Sequence, residues 1–264
     1  KSYLKGCEVY HLYIPDVLGK ERRKAAPSKE GKLGVEGISP ALLLEALKKS
    51  DAIIGYTVYV DLVKEYFPGK EFMTTPMKKE VDRCVLAFEE AKKGKTVSMI
   101  CSGDAGVYGM AGLMYEIGEE YPEVAIEVIP GVTAALGGSA VLGAAVGHDV
   151  SLISLSDLLT PWELIEERLR CAAKADFVIC LYNPSSRKRS TYLAKACEIM
   201  LEYKAEDTVC GIVKNIAREG ETMQTLTLKE LKETTVDMFS TVFIGNKQTK
   251  VIREKMVTPR GYRI

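Results

Sequence analysis

A chain of 264 residues is too long for most single hydrophobic cores and suits two α/β domains of ordinary size. Hydrophobic residues make up 47% and charged residues 27%, the balance of a soluble globular protein. The 36 basic and 36 acidic residues cancel, which leaves no basic surplus for a nucleic-acid partner. Seven cysteines (7, 84, 101, 171, 180, 197 and 210) form no CxxC pair, so neither a zinc nor an iron–sulfur site is expected, and no metal site is assigned. No apolar run approaches the length of a membrane span and no signal peptide is evident, so the expected location is the cytoplasm, with no membrane partner.

Residues 1–31 read as an N-terminal extension of unclear role. Within it Val9–Ile14 has strand character, His11 being a strand residue, and 20–31 is a polar linker. The first α/β domain is expected over 32–131. Pro40 suits a helix start, with Leu43, Leu44 and Leu47 on the buried face. Asp51–Gly55 is a strand whose end leads to Tyr56, Thr57 and Tyr59, aromatics that line a pocket or cap a domain edge. Met77–Lys93 is a helix with Val81, Val85, Leu86 and Phe88 inward.

Val97–Cys101 has the length and character of a buried parallel strand. Ser102-Gly103-Asp104-Ala105-Gly106 follows, and then a helical spacing of Val107, Met110, Met114 and Ile117 over 107–120. A strand that breaks at a Gly-Asp turn and opens a helix is where open α/β sheets bind ligands. Gly103 and Gly106 can let bare backbone meet a ligand while Gly109 and Gly112 suit close helix packing, or all four serve only tight packing. No Gly-Lys-Ser/Thr follows, so the turn is not a phosphate loop, and the glycine spacing is not that of a dinucleotide fold. Val124–Ile129 is the next strand; Pro130-Gly131-Val132-Thr133 ends it and starts a small-residue helix, Ala134–Leu142. Thr133 there is a helix cap or a ligand contact.

The second domain is expected over 132–264. Val150–Leu155 is a strand, and Thr160-Pro161-Trp162-Glu163 reads as a capped start to a helix over 162–173. Asp176–Tyr182 is a strand that Asn183-Pro184-Ser185 ends, with a helix over 191–202 after it. Strands follow at 208–214, 222–226 and 238–245, with a helix over 228–233 between the last two.

The run SGDAGVYGMAG resembles the Gly-Asp-Pro loop of the tetrapyrrole methylases, with Ala105 where many members have proline. The likeness extends through IPGVTAALGGSAVLGAAVGHDVSLISLSDLLTPWELIEERL, DFVICLYNPSSRKR, GIVKNIAREGE and TVFIGNKQT…MVTPRGY, covering about residues 41–264. Within the family these runs resemble the ring-contracting branch that methylates C17 of precorrin-3B or cobalt-precorrin-3 in cobalamin (corrin) biosynthesis. The resemblance implies two α/β domains with mostly parallel sheets and an active-site cleft between them. It also implies S-adenosylmethionine (SAM) as methyl donor, a tetrapyrrole substrate and a homodimer. One departure stands out. Where the family opens with a strand and Gly-x-Gly-Pro-Gly, this chain has Lys32-Leu33-Gly34-Val35-Glu36-Gly37-Ile38-Ser39-Pro40.

SAM needs close backbone approach, acceptors for its ammonium and ribose hydroxyls, and apolar walls for adenine. Ser102, Gly103, Asp104, Val107, Tyr108, Thr133 and Ala134 are the candidates in the first half and at its end. By the resemblance, Tyr182, Asn183, Lys214 and Asn215 supply the remainder. Asp104 has an alternative role, bonding the backbone of its own turn. Methyl transfer mainly requires positioning, and ring contraction adds proton movements that call for a base. His148, in a Gly-His-Asp turn, is the candidate, with Asp149 beside it; a loop histidine is also often only polar surface. The macrocycle carries many carboxylates, for which Arg187, Ser156 and Arg260 are the substrate-binding candidates.

Overall fold

The computed structural model describes residues 7–12 and 40–263. The chain divides into two compact units after Thr133.

In the first unit the order is β1 (Cys7–Leu12), α1 (Pro40–Lys49), β2 (Ala52–Tyr56), α2 (Thr57–Val63), a 3₁₀ turn (Lys64–Tyr66), β3 (Glu71–Thr75), α3 (Glu80–Lys92), β4 (Val97–Ser102), α4 (Ala111–Gly118) and β5 (Ile126–Ile129). The five strands form one sheet in the order β3-β2-β4-β1-β5, and every pairing is parallel. Period-2 alternation splits its core in two. Ile54, Met99 and Cys101 pack with Phe88 of α3 and Met114 of α4, while Ile53 and Ile100 pack with Leu47 of α1 and Val60 of α2. Both faces are covered, which is why β2 and β4 read as continuous apolar runs. Phe88 is fully enclosed and stacks on Tyr121 at 4.7 Å between ring centroids. Burying such a ring contributes about 1.5–3 kcal/mol.

The expectation of a strand at Val9–Ile14 is met two residues earlier, and that strand lies inside the sheet, between β4 and β5. Its register sets Leu12 beside Ser102 and Tyr10 beside Ile129. Lys32–Ser39, the altered opening segment, lies outside the described residues. The helix expected over 107–120 is shortened to Ala111–Gly118, because 103–110 winds through turns with Gly103 at φ 87° and Tyr108 at φ 54°.

In the second unit come α5 (Ala134–Leu142), β6 (Gly143–Ala144), β7 (Val150–Ser154), α6 (Trp162–Lys174), β8 (Val178–Tyr182), α7 (Tyr192–Leu201), β9 (Val209–Lys214), β10 (Thr222–Thr227), α8 (Leu228–Lys232), β11 (Ser240–Ile244), β12 (Lys250–Ile252) and β13 (Lys255–Val257). Its main sheet runs β10-β9-β11-β8-β7 and is mixed. β7 and β8 are parallel, and the other three pairings are antiparallel. Because β11 opposes both β8 and β9, strands β7, β8 and β9 all point the same way. Ser154, Tyr182 and Lys214 therefore end at one edge.

Leu181, Ile212 and Val242 pack under α6, α7 and α8 on one face; Cys180, Val213 and Phe243 face α5 on the other. A Cβ on Gly138 of α5 would fall 2.7 Å from Phe243 Cζ, so glycine there sets the helix-to-sheet distance. A small sheet, β12-β13-β6, adds the C-terminal hairpin. The helix-start signature at Thr160 is corrected by the structure. Pro161 is the cap residue and no side chain caps α6. A full capping box forms instead between Thr227 and Glu230 at α8.

Candidate functional site

At the carboxyl edge of the first sheet, β4 ends at Ser102, and Gly103 takes a left-handed φ that side chains rarely adopt. Asp104 then ties two loops together. Its Oδ1 accepts from the Gly106 N–H at 2.9 Å and its Oδ2 from the Gly131 N–H at 2.9 Å. Each carboxylate oxygen is thus committed to backbone, which matches the turn-forming alternative. A second lone pair remains on each oxygen. Ala105 is buried in the core under the turn. Val107 and Tyr108 follow in that turn, with Tyr108 more than half exposed. Thr133 is buried at the end of the loop that Gly131 opens.

The second unit opens with α5, whose first-turn N–H groups have no partner within the helix. One of them, from Ala135, donates to the Tyr182 hydroxyl at 2.9 Å. Ala134 and Tyr182 are thereby brought together. Asn183 continues from Tyr182 at φ 50°, and its Nδ2 donates to Ser154 Oγ at 3.0 Å, which joins the ends of β8 and β7. On the same edge Asn215 (φ 52°) begins the β9–β10 turn, and Lys214 pairs with Asp237 at 2.7 Å.

Of the best-built polar group of this edge, the sequence singled out only Ser156. Arg189 donates through Nη1 to Ser156 Oγ at 2.9 Å and approaches Asp157 Oδ1 at 3.3 Å; the Tyr192 hydroxyl donates to Asp157 Oδ2 at 2.7 Å. The Tyr192 hydroxyl first, then the Arg189 guanidinium, holds the Asp157 carboxyl below its ordinary value. Arg189 Nε is fully enclosed without a hydrogen-bond partner. Trp162 packs on Tyr192 at 4.3 Å, and Lys195 lies over both rings. Arg187, the guanidinium favoured from sequence, is exposed. Three basic residues in a row gave no way to tell which one folds inward. The signal available was Tyr192, three residues past Arg189, on the first turn of α7.

His148 and Asp149 form a separate pair, and Arg260 follows a segment tied to the chain before them. Thr258 donates its hydroxyl to the Ala145 carbonyl at 2.6 Å and its N–H to the Ala144 carbonyl at 3.0 Å, which sets Arg260 close in chain to the turn that carries His148. His148 and Asp149 precede β7, so within this unit they lie at the opposite edge of the sheet from Ser156, Asn183 and Lys214. The structure does not bring His148 to the Arg189 cluster. His148 Nδ1 accepts from the Asp149 N–H at 2.8 Å and lies 3.3 Å from the Asp149 carboxylate. Among the described residues no group of three His, Cys, Asp or Glu is arranged to hold a metal ion, and no helix is long and apolar enough to cross a membrane.

A model of the family of tetrapyrrole (corrin/porphyrin) methylases matches residues 38–232. A protein of Salmonella typhimurium named as a probable cobalt-factor III C(17)-methyltransferase is 44% identical over 238 residues, spanning 87% of this chain and 99% of its own. The cobalt-factor III methyltransferase of Priestia megaterium is 43% identical over 245 residues, 88% of this chain; the chain spans 45% of that longer relative. Among solved structures, the methyltransferase CobJ superposes with a TM-score of 0.80 at 30% identity, covering 96% of this chain and 99% of that one. The Gly-Asp turn at the end of β4, the two α/β units and these matches across most of the sequence agree: the chain belongs to the tetrapyrrole methylase family.

Proposed function

We propose that the chain transfers a methyl group from SAM to C17 of a corrin precursor, cobalt-factor III (cobalt-precorrin-3) or precorrin-3B, with contraction of the macrocycle. The observation that carries this reading is the 44% identity to a relative of that name over 99% of the relative's length. The cobalt-bearing substrate is the favoured form, because three of the four relatives at 43–44% identity are named for it.

The residues at the first sheet edge fit SAM. Gly103 offers bare backbone in a conformation closed to side chains, and Asp104 shapes the turn while keeping outward lone pairs for an ammonium or hydroxyl. Ser102, Val107, Tyr108 and Thr133 complete that set, and Ala134, Tyr182, Asn183, Lys214 and Asn215 are its proposed partners from the second unit. When bound, SAM supplies an electrophilic methyl carbon. The protein's part is to align that carbon with C17 and to exclude water. Ser156 and Arg187 are proposed to read substrate carboxylates. Arg260 is proposed to do the same, and His148 is the proposed proton-handling residue, with Asp149 orienting it. We also assign a homodimer in the cytoplasm. Sedimentation should then give twice the 29.1 kDa chain mass, whereas a monomer at micromolar concentration refutes the assembly.

The deciding experiment is mass spectrometry of cobalt-factor III after incubation with the full chain and SAM. A product with one added methyl and a contracted ring is expected. Recovery of unmodified substrate, with SAM unconsumed, overturns the reading.

A further inference from the structure

Arg83 is a charged residue that the reading above leaves without a task. It is the fourth residue of α3 and only 5% exposed. Its Nε donates to Thr75 Oγ1 at 2.8 Å and its Nη2 to the Pro76 carbonyl at 3.2 Å, so the guanidinium lies where β3 ends and α3 begins. That is the carboxyl edge of the first unit's parallel sheet, the edge where open α/β sheets take ligands. The group also lies near Cys101 at the end of β4, where it works against the burial that pushes that thiol up to about 12.

Among the described residues no carboxylate lies within ion-pair distance of Arg83, and its Nη1 has no hydrogen-bond partner. The nearby acids are engaged elsewhere. Glu80 accepts from the Lys78 N–H, Asp82 pairs with Lys79, and Asp104 holds Gly106 and Gly131. A buried cation without an anion is costly, and the positive end of a helix dipole beside it adds to the cost. The unused donors share one face of the fork. Thr75 and Pro76 occupy the Nε–Nη2 side, which leaves Nη1 and the second Nη2 hydrogen, the pair that grips a carboxylate in bidentate fashion. Nη1 is also reachable. The only fully enclosed side-chain nitrogen or oxygen without a partner among the described residues is Arg189 Nε.

We propose that Arg83 is a carboxylate anchor, its Nη1–Nη2 face binding one carboxylate of a ligand held at this sheet edge. The inference rests on the methyltransferase reading, which offers two sources: an acetate or propionate side chain of the macrocycle, or the amino-acid carboxylate of the methyl donor. Arg83→Met keeps the length and removes the charge, and Arg83→Lys keeps the charge without the fork.

The test measures melting of the ligand-free full chain and the affinities of two probes, S-adenosylhomocysteine by calorimetry and cobalt-factor III by absorbance titration. Expected is an Arg83→Met protein that melts no lower than wild type and binds one probe about ten- to a hundredfold more weakly, with partial recovery in Arg83→Lys. A loss confined to cobalt-factor III assigns the macrocycle carboxylate, and a loss confined to S-adenosylhomocysteine assigns the donor's. Unchanged affinity for both probes overturns the anchor and leaves a loop latch. Wild-type protein that binds neither probe sinks the methyltransferase reading on its own. The melting comparison then still decides Arg83: a lower midpoint in Arg83→Met means a latch, a higher one a charge that lacks its anion.

Discussion

Removing the Asp104 carboxylate separates a structural bridge from a pure ligand contact. In Asp104→Ala, the Gly106 and Gly131 N–H groups both lose their acceptor. A hydrogen bond to a charged group contributes about 1.5–3 kcal/mol, and Asp104 is only partly buried, so the low end applies to each. The two together give about 2–4 kcal/mol. For a melting unit of about 130 residues the entropy of unfolding is about 0.3 kcal/mol/K, so the midpoint should fall by roughly 7–14 °C, and by half that if the whole chain melts together. Asp104→Asn keeps one acceptor oxygen and should lose about half as much. Scanning calorimetry of the three proteins reads this directly, and titration with S-adenosylhomocysteine shows how far the loop must hold its shape to bind. If Asp104→Ala melts within 2 °C of wild type yet binds no S-adenosylhomocysteine, the carboxylate serves the ligand alone and the bridge carries no weight.

Three further outcomes follow from the geometry. The Asp157 carboxyl is held below its ordinary 3.8 by Tyr192 and then Arg189, so its stabilising effect is complete above about pH 4 and is lost as pH falls through the lowered value. Fluorescence of Trp162, the chain's single tryptophan, should be flat from pH 8 to 5 and change only below pH 4, with Tyr192→Phe moving that change upward. Gly138→Ala, which in an exposed helix stabilises by about 1 kcal/mol, should instead destabilise by about 1–3 kcal/mol as the new Cβ meets the enclosed Phe243 ring; a urea midpoint at or above wild type contradicts the packing. His148→Ala should leave S-adenosylhomocysteine affinity intact and slow turnover about a hundredfold; turnover at the wild-type rate removes it from the chemistry.

The parts of the fold legible from sequence were those with strong periodicity. Val97–Cys101 is apolar at every position but Ser98 because helices cover both faces of β4, and the leucines of α1 mark its buried side. The small outer elements escaped. β6, β12 and β13 are two or three residues long, too short for any pattern. The glycine turn after β4 was legible, and so was Asp104 as a residue bonding the backbone of its own turn, but its bridge to a second loop was not. Its second partner, Gly131, lies 27 residues away, and only the parallel sheet brings the two loops to one edge. The Arg189 cluster was hidden for a related reason. Ser156, Asp157, Arg189 and Tyr192 come from two βα connections, and the contact arises from the parallel pairing of Ser154 with Tyr182.

The two sheets reach a common-edge arrangement by different routes, and backbone strain marks where those edges are. In the first sheet every strand is parallel, so all strand ends fall at one edge automatically. In the second, α7 carries the chain from β8 to β9, and the chain then doubles back through β10 and α8 so that the opposed β11 fills the place between them; Lys214 and Tyr182 still end at the same edge. The turns leaving these strands are tight. Among the described residues eight that are not glycine have positive φ, and four of them, Tyr108, Asn183, Asn215 and Ala217, lie in the turns that follow β4, β8 and β9. Each such conformation costs about 1–3 kcal/mol and persists only where the surroundings fix it. Asparagine tolerates it, and at Ala217 the N–H is held by Glu221 Oε2 at 2.6 Å.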